Sequence, residues 1–125
     1  LMYGIVVGLI FVLVGLLNAY PAIGMLGAKQ LRGLYGIPMT DANLLTLMQH
    51  RAVMLGLIGV FLIVAAFRRD LQPAGFVLGF ASMLSFVVFA RLQDEPSRYI
   101  SKVAVADIAG SALLLVALVF YCLDR

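Results

Sequence analysis

Asn18, Gln49, His50, Arg51 and Asp107 are the residues of this 125-residue chain whose side chains could do chemistry in an apolar setting. A carboxyl in hydrocarbon either takes a proton or finds a cation, because an isolated charge there is too costly to keep. Asp107 is too short to reach water from such a depth, whereas an Arg one turn deep can snorkel its guanidinium to the headgroups. Arg51 is the nearest cation that the order of the segments offers, so an Arg51 to Asp107 pair is expected. Three readings of the set stand open: a polar network that locks helices together, a buried site for a polar small molecule, a proton or a quinone head, or snorkelling with no network. His50 has no second His or Cys at ligand spacing, which makes it poor support for a metal or a haem. No catalytic residue, metal or cofactor is expected. The chain has no paired carboxylates, no Ser-His-Asp arrangement, no phosphate-binding glycine loop and no acidic cluster for magnesium.

The segments that carry these residues explain why their setting is apolar. A bilayer core of roughly 30 Å takes about 20 apolar residues of helix. Residues 1–28 and 71–90 contain no charged side chain and meet that length unaided. Residues 52–67 and 108–123 are 16 apiece, about 24 Å of helix, so each must continue backward through its bounding charge, Arg51 or Asp107, to cross. Composition agrees: 64% hydrophobic and 12% charged, against about 45 to 50% and 25% in soluble domains. The net charge of +3 comes from bases that flank apolar runs, so they read as membrane anchors rather than a nucleic-acid face. A single cysteine, Cys122, excludes an intrachain disulfide and any multi-thiolate metal site.

The expected architecture is all-α, an integral membrane four-helix up-down-up-down bundle forming a single transmembrane domain over 1–125, with helices about 2–20, 44–67, 73–92 and 99–123. Pro21 ends or kinks the first. That helix reads as retained rather than as a cleaved signal, because its run is too long, no Lys or Arg precedes it and Tyr20-Pro21 is a poor cleavage site. Residues 24–43, broken by Gly27, Gly33, Gly36 and Pro38, are too polar to span. Met25, Leu26, Leu31, Leu34 and Tyr35 with Lys29 and Arg32 suit a short interfacial helix, ordered against the bundle through Leu26, Leu31 and Tyr35 and roofing a cavity. Thr40 or Asp41 caps the next helix, Pro73 suits a first turn, and Asp94-Glu95-Pro96-Ser97 turns into the last, which ends at Asp124-Arg125. Small residues four apart, Gly4 and Gly8, Ala52 and Gly56, Gly75 and Gly79, Ala106 and Gly110, are expected at helix contacts.

Alternating helix directions gather Asn18, Gln49, His50, Arg51, Arg91, Ser101, Lys102 and Asp107 at one membrane face, with no comparable set at the other. Asn18 extends the line Gly4, Gly8, Phe11, Gly15, and Asp107 shares a face with Ala104, Gly110 and Ser111, so both are expected to point inward. Lys29, Arg32, Arg91 and Arg98 oppose Arg68, Arg69 and Arg125, and only by adding Arg51 and Lys102 does the first side become the clear cytoplasmic choice. Orientation therefore stays open.

The run Leu47-Met48-Gln49-His50-Arg51-Ala52-Val53-Met54-Leu55-Gly56, followed by Ala65-Ala66-Phe67-Arg68 and Leu71-Gln72-Pro73-Ala74, resembles a family of small bacterial four-helix membrane proteins. With the 21–36 connection and Val105-Ala106-Asp107 the resemblance covers nearly the whole chain. Members are often automatically labelled phosphopantetheine adenylyltransferase, an activity the residues here do not support: that enzyme carries a His-x-Gly-His nucleotide motif on an α/β sheet, and this chain has one His. More distantly the topology is similar to DoxX-like membrane proteins, some of which accompany quinone-linked oxidoreductases. The resemblance implies a bacterial inner membrane protein in contact with the lipid bilayer. The reading is a non-enzymatic small subunit of a larger membrane complex, or a homo-oligomer, with a polar layer for packing or for a small hydrophobic ligand or quinone. The alternative is a quinone-linked redox or small-solute transport component.

Overall fold

The computed structural model describes residues 2–37, 40–93 and 97–123; Leu1, Pro38, the Asp94-Glu95-Pro96 part of the expected turn and the expected Asp124-Arg125 end lie outside them. The described residues are helical apart from short connections, with no strand among them. Helix α1 (Met2–Ala19) gives way to a 3-10 segment, Tyr20–Leu26, with Pro21 in its first turn. Proline has no N–H to continue the α ladder, so Pro21 changes the winding without stopping the span. Helix α2 (Ala28–Tyr35) closes at Gly36, whose φ of 69° is left-handed and whose N–H reaches the Arg32 carbonyl at 2.8 Å. Only a residue without Cβ takes that conformation freely.

Helix α3 (Ala42–Ala66) begins at 42 rather than 44 because Asp41 is its cap, its carboxylate accepting from the Asn43 N–H at 2.9 Å. An exposed Arg68 to Asp70 ion pair at 2.9 Å and a 3-10 turn, Arg69–Leu71, lead into α4 (Gln72–Leu92), with Pro73 in its first turn as expected. Helix α5 (Arg98–Leu123) runs through Asp107 without a break.

The main helix contacts join α1 to α3, α3 to α4, α4 to α5 and α5 back to α1. Val7, Phe11, Val14, Leu62, Met83 and Leu114 are fully buried among them, and Phe11 meets Phe76 edge-on with ring centroids 5.0 Å apart. The α1/α3 contact is the tightest. A Cβ added at Gly59 would lie 2.5 Å from the Gly15 carbonyl oxygen, and Gly8 faces the Ala66 carbonyl. Of the expected small pairs, Gly75 and Gly79 face Phe11 and Leu114, Gly110 faces Met83, and Ala52 is buried, while Gly4 and Ala106 line grooves.

Among the described residues four helical stretches, Met2–Leu26, Ala42–Ala66, Arg69–Leu92 and Arg98–Leu123, are long and apolar enough to cross a membrane. At most 33% of any of them is buried, and Leu9, Leu13, Leu57, Val77 and Leu115 point outward. Helices apolar all round need an apolar exterior.

Between the first two spans, α2 packs on the connection, α3 and α5. Leu31 and Tyr35 are buried as expected, but Leu26 is 69% exposed. Gly24 takes the inner side of the 3-10 turn against Leu31, and two residues further on, at about 120° per residue, Leu26 has rotated away.

Candidate functional site

Arg51 occupies the junction of three elements. Its guanidinium donates to the Tyr35 hydroxyl of α2, lies 5.3 Å from the centre of the Tyr35 ring and 4.9 Å from that of Phe86 on α4. Cation–π contacts of this kind strengthen where water is excluded. The phenol it touches is shifted in turn. Burial raises the Tyr35 pKa above its ordinary 10.0, the Arg51 charge opposes that rise, and the Asp107 carboxylate adds to it.

Asn18 is buried on α1, on the inward line that its spacing indicates. Its Nδ2 donates to the Val14 carbonyl at 2.9 Å, and its Oδ1 accepts from the Ser82 hydroxyl of α4 at 3.2 Å. This bond ties two helices that are not principal neighbours. Gln49 turns the other way and donates from Nε2 to the Met25 carbonyl at 3.1 Å, fastening α3 to the 3-10 segment. His50 is exposed and stands apart from these contacts.

Arg51 and Asp107 do not form the expected ion pair; Arg51 takes Tyr35 instead. The cause is the order of packing. α3 and α5 each lie against α1 and α4, and their main contacts are not with one another, so Arg51 and Asp107 approach Tyr35 from separate helices, and both charges act on it. Asp107 is half-buried and lines a cavity of about 290 Å³ beneath α2, with Leu17, Tyr20, Tyr99 and Lys102. Arg51 lines a separate cleft of about 670 Å³ between α3 and α4.

The opposite end is also more polar than its sequence suggests. Gln72 is buried and donates to the Ala65 carbonyl at 3.1 Å, and the Arg69 guanidinium sits 4.5 Å from the Tyr121 ring centre. They border a third groove, also about 670 Å³, along α1. Ser111 is buried with no hydrogen-bond partner for its hydroxyl among the described residues.

Three participants go beyond the sequence reading. Tyr35 is legible there only for its ring, although a buried phenol also needs a polar partner. Ser82 follows Gly75 and Gly79 at helical spacing, which places it on the small face of α4 but does not name Asn18 as its partner. Phe86 had no signal beyond its hydrophobicity. Among the described residues no three His, Cys, Asp or Glu side chains gather where a metal ion could sit. The arrangement can hold helices in register and can present a cation and a carboxylate, separately, to two cavities. No family model matches the chain, and no curated protein or solved structure is significantly similar to it.

Proposed function

We propose that the chain is a non-enzymatic integral membrane protein, an up-down-up-down four-helix bundle of the bacterial inner membrane, acting as a small subunit or homo-oligomer. Its polar layer serves chiefly to lock the helices. One observation carries the reading: Asn18, Gln49 and Arg51 each reach a different segment, joining α1 to α4, α3 to the 3-10 turn, and α3 to both α2 and α4. A layer kept for transport or redox chemistry would leave its polar groups facing a path; Asn18 and Gln49 are turned onto the protein itself. The antiparallel sense is supported by contacts such as Gly8 with Ala66, Gly15 with Gly59, and Tyr3 stacked on Phe120 at 5.4 Å. The likeness to small bacterial four-helix membrane proteins belongs to the same proposal.

Thermal unfolding of the detergent-solubilised protein tests it. Asn18→Ala, Gln49→Ala and Arg51→Gln should each lower the midpoint while the protein still resists alkaline extraction from membranes. Undiminished midpoints in all three would refute the lock. Native mass spectrometry of the complex extracted in mild detergent reads subunit number, and a lone monomer without partner would refute the assembly part.

A further inference from the structure

The cleft between α3 and α4 is mostly apolar. Met54, Leu55, Ile58, Leu78 and Ala81 line it on one side of Arg51, two serines and Gln93 add neutral polar groups, and among the described residues Arg51 is the only charged one lining it. Its volume of about 670 Å³ lies in the range of sites that hold small ligands. The guanidinium has five N–H donors. One goes to the Tyr35 hydroxyl, the Phe86 ring centre lies 4.9 Å away, and among the described residues the guanidinium has no other hydrogen-bond partner, the Asp107 carboxylate acting on it only at a distance. What remains is a planar, half-buried edge whose paired N–H groups match a carboxylate bidentately.

The position limits the head that can reach it. Arg51 lies nine residues past the start of α3 at Ala42, about 14 Å along the helix, and Tyr35 of α2 closes over it. A compact carboxylate fits beneath that cover better than a branched glycerophosphate. We propose that this cleft binds a long-chain carboxylate, its head on the free edge of Arg51 and its alkyl chain along Met54, Ile58, Leu78 and Ala81. The proposal rests on the membrane reading, since a bilayer supplies such a ligand sideways into an open cleft.

The test is competitive retention by the full-length protein in mild detergent, read by native mass spectrometry, with hexadecanoate, hexadecanol and phosphatidylglycerol as probes. Hexadecanoate should be retained about tenfold or more over hexadecanol, the difference being a charge-assisted hydrogen bond. Arg51→Gln should lose that preference and Arg51→Lys should keep part of it. Because Arg51→Gln also releases Tyr35, Ala81→Leu is the second variant: it fills the cleft away from Arg51 and should lower hexadecanoate retention with the fold intact. Equal retention of hexadecanol, an unchanged preference in Arg51→Gln, or unchanged retention in Ala81→Leu overturns the proposal, and stronger retention of phosphatidylglycerol overturns it in favour of a phospholipid headgroup. Alkaline extraction separates the two failures. Protein released from native membranes defeats the membrane reading, whereas protein that stays and does not discriminate among the probes defeats only the cleft.

Discussion

Asn18 and Tyr35 show how differently two buried polar groups announce themselves. Asn18 was legible, because a polar residue on a line of small ones at helical spacing has only the interior to face. Its partner was not, since nothing in a single sequence says which helix lies opposite. Asn18→Ala removes an acceptor from Ser82 and a donor to Val14, and should destabilise the protein by about 1 to 2 kcal/mol. A cycle with Ser82→Ala should give a coupling of about 0.6 kcal/mol, the usual scale for hydrogen bonds between membrane helices. Additive losses would mean that the bond does not form. Asp107→Ala and Arg51→Ala share no hydrogen bond but both act on Tyr35, so the double variant should depart from additivity, and Tyr35→Phe should reduce that departure. Tyr35 lies outside the four spans and supplies a pH test. Its pKa is raised in the folded protein, chiefly by burial, so it holds its proton more tightly folded than unfolded. That contribution is fully present below the unfolded value of 10.0 and is lost as pH rises through the higher folded value. Tyr35→Phe should therefore flatten the alkaline limb of a stability profile, and a profile of unchanged slope would remove the assignment.

At the scale of elements, the spans, the Asp41 cap and the Pro73 start could be read from run lengths and capping chemistry, because these are local. The interior pairing of Gly15 with Gly59 could not, because the two glycines belong to no common spacing and meet only when α1 and α3 pack. Their contact predicts a contrast. Gly59→Ala puts a methyl against the backbone of α1 and should cost about 1 to 3 kcal/mol by forcing the helices apart. Gly33→Ala on α2 meets nothing within 4 Å and should gain up to about 1 kcal/mol from helix propensity. Unfolding of the two variants side by side checks both signs. The placement of α2 was foreseen in Leu31 and Tyr35 and missed in Leu26, for which the winding of a 3-10 turn had to be known. Amide exchange in a bilayer should accordingly find Leu31 and Tyr35 protected, and uniform fast exchange across α2 would mean that it is not docked.

For the whole molecule, the proposed up-down-up-down topology requires positions beside Arg69 and Gln93 to open on opposite sides of the membrane. Single cysteines placed there, with the exposed Cys122 replaced, should label from opposite faces; labelling from one face would break the topology. The grip on α2 also sets an order of events during synthesis. The ribosome makes α2 before either long helix that packs on it, since Arg51 belongs to α3 and Tyr99, which lies against Gly36, to α5. If the four helices span a membrane, a nascent chain that has passed the first of them carries α2 only partly docked, with Lys29 and Arg32 open to trypsin, until α5 has left the ribosome. Chains arrested past residue 93 with a spacer should be cut there and chains arrested past residue 123 with a spacer should resist, which makes closing the roof a late checkpoint of assembly rather than an early fold.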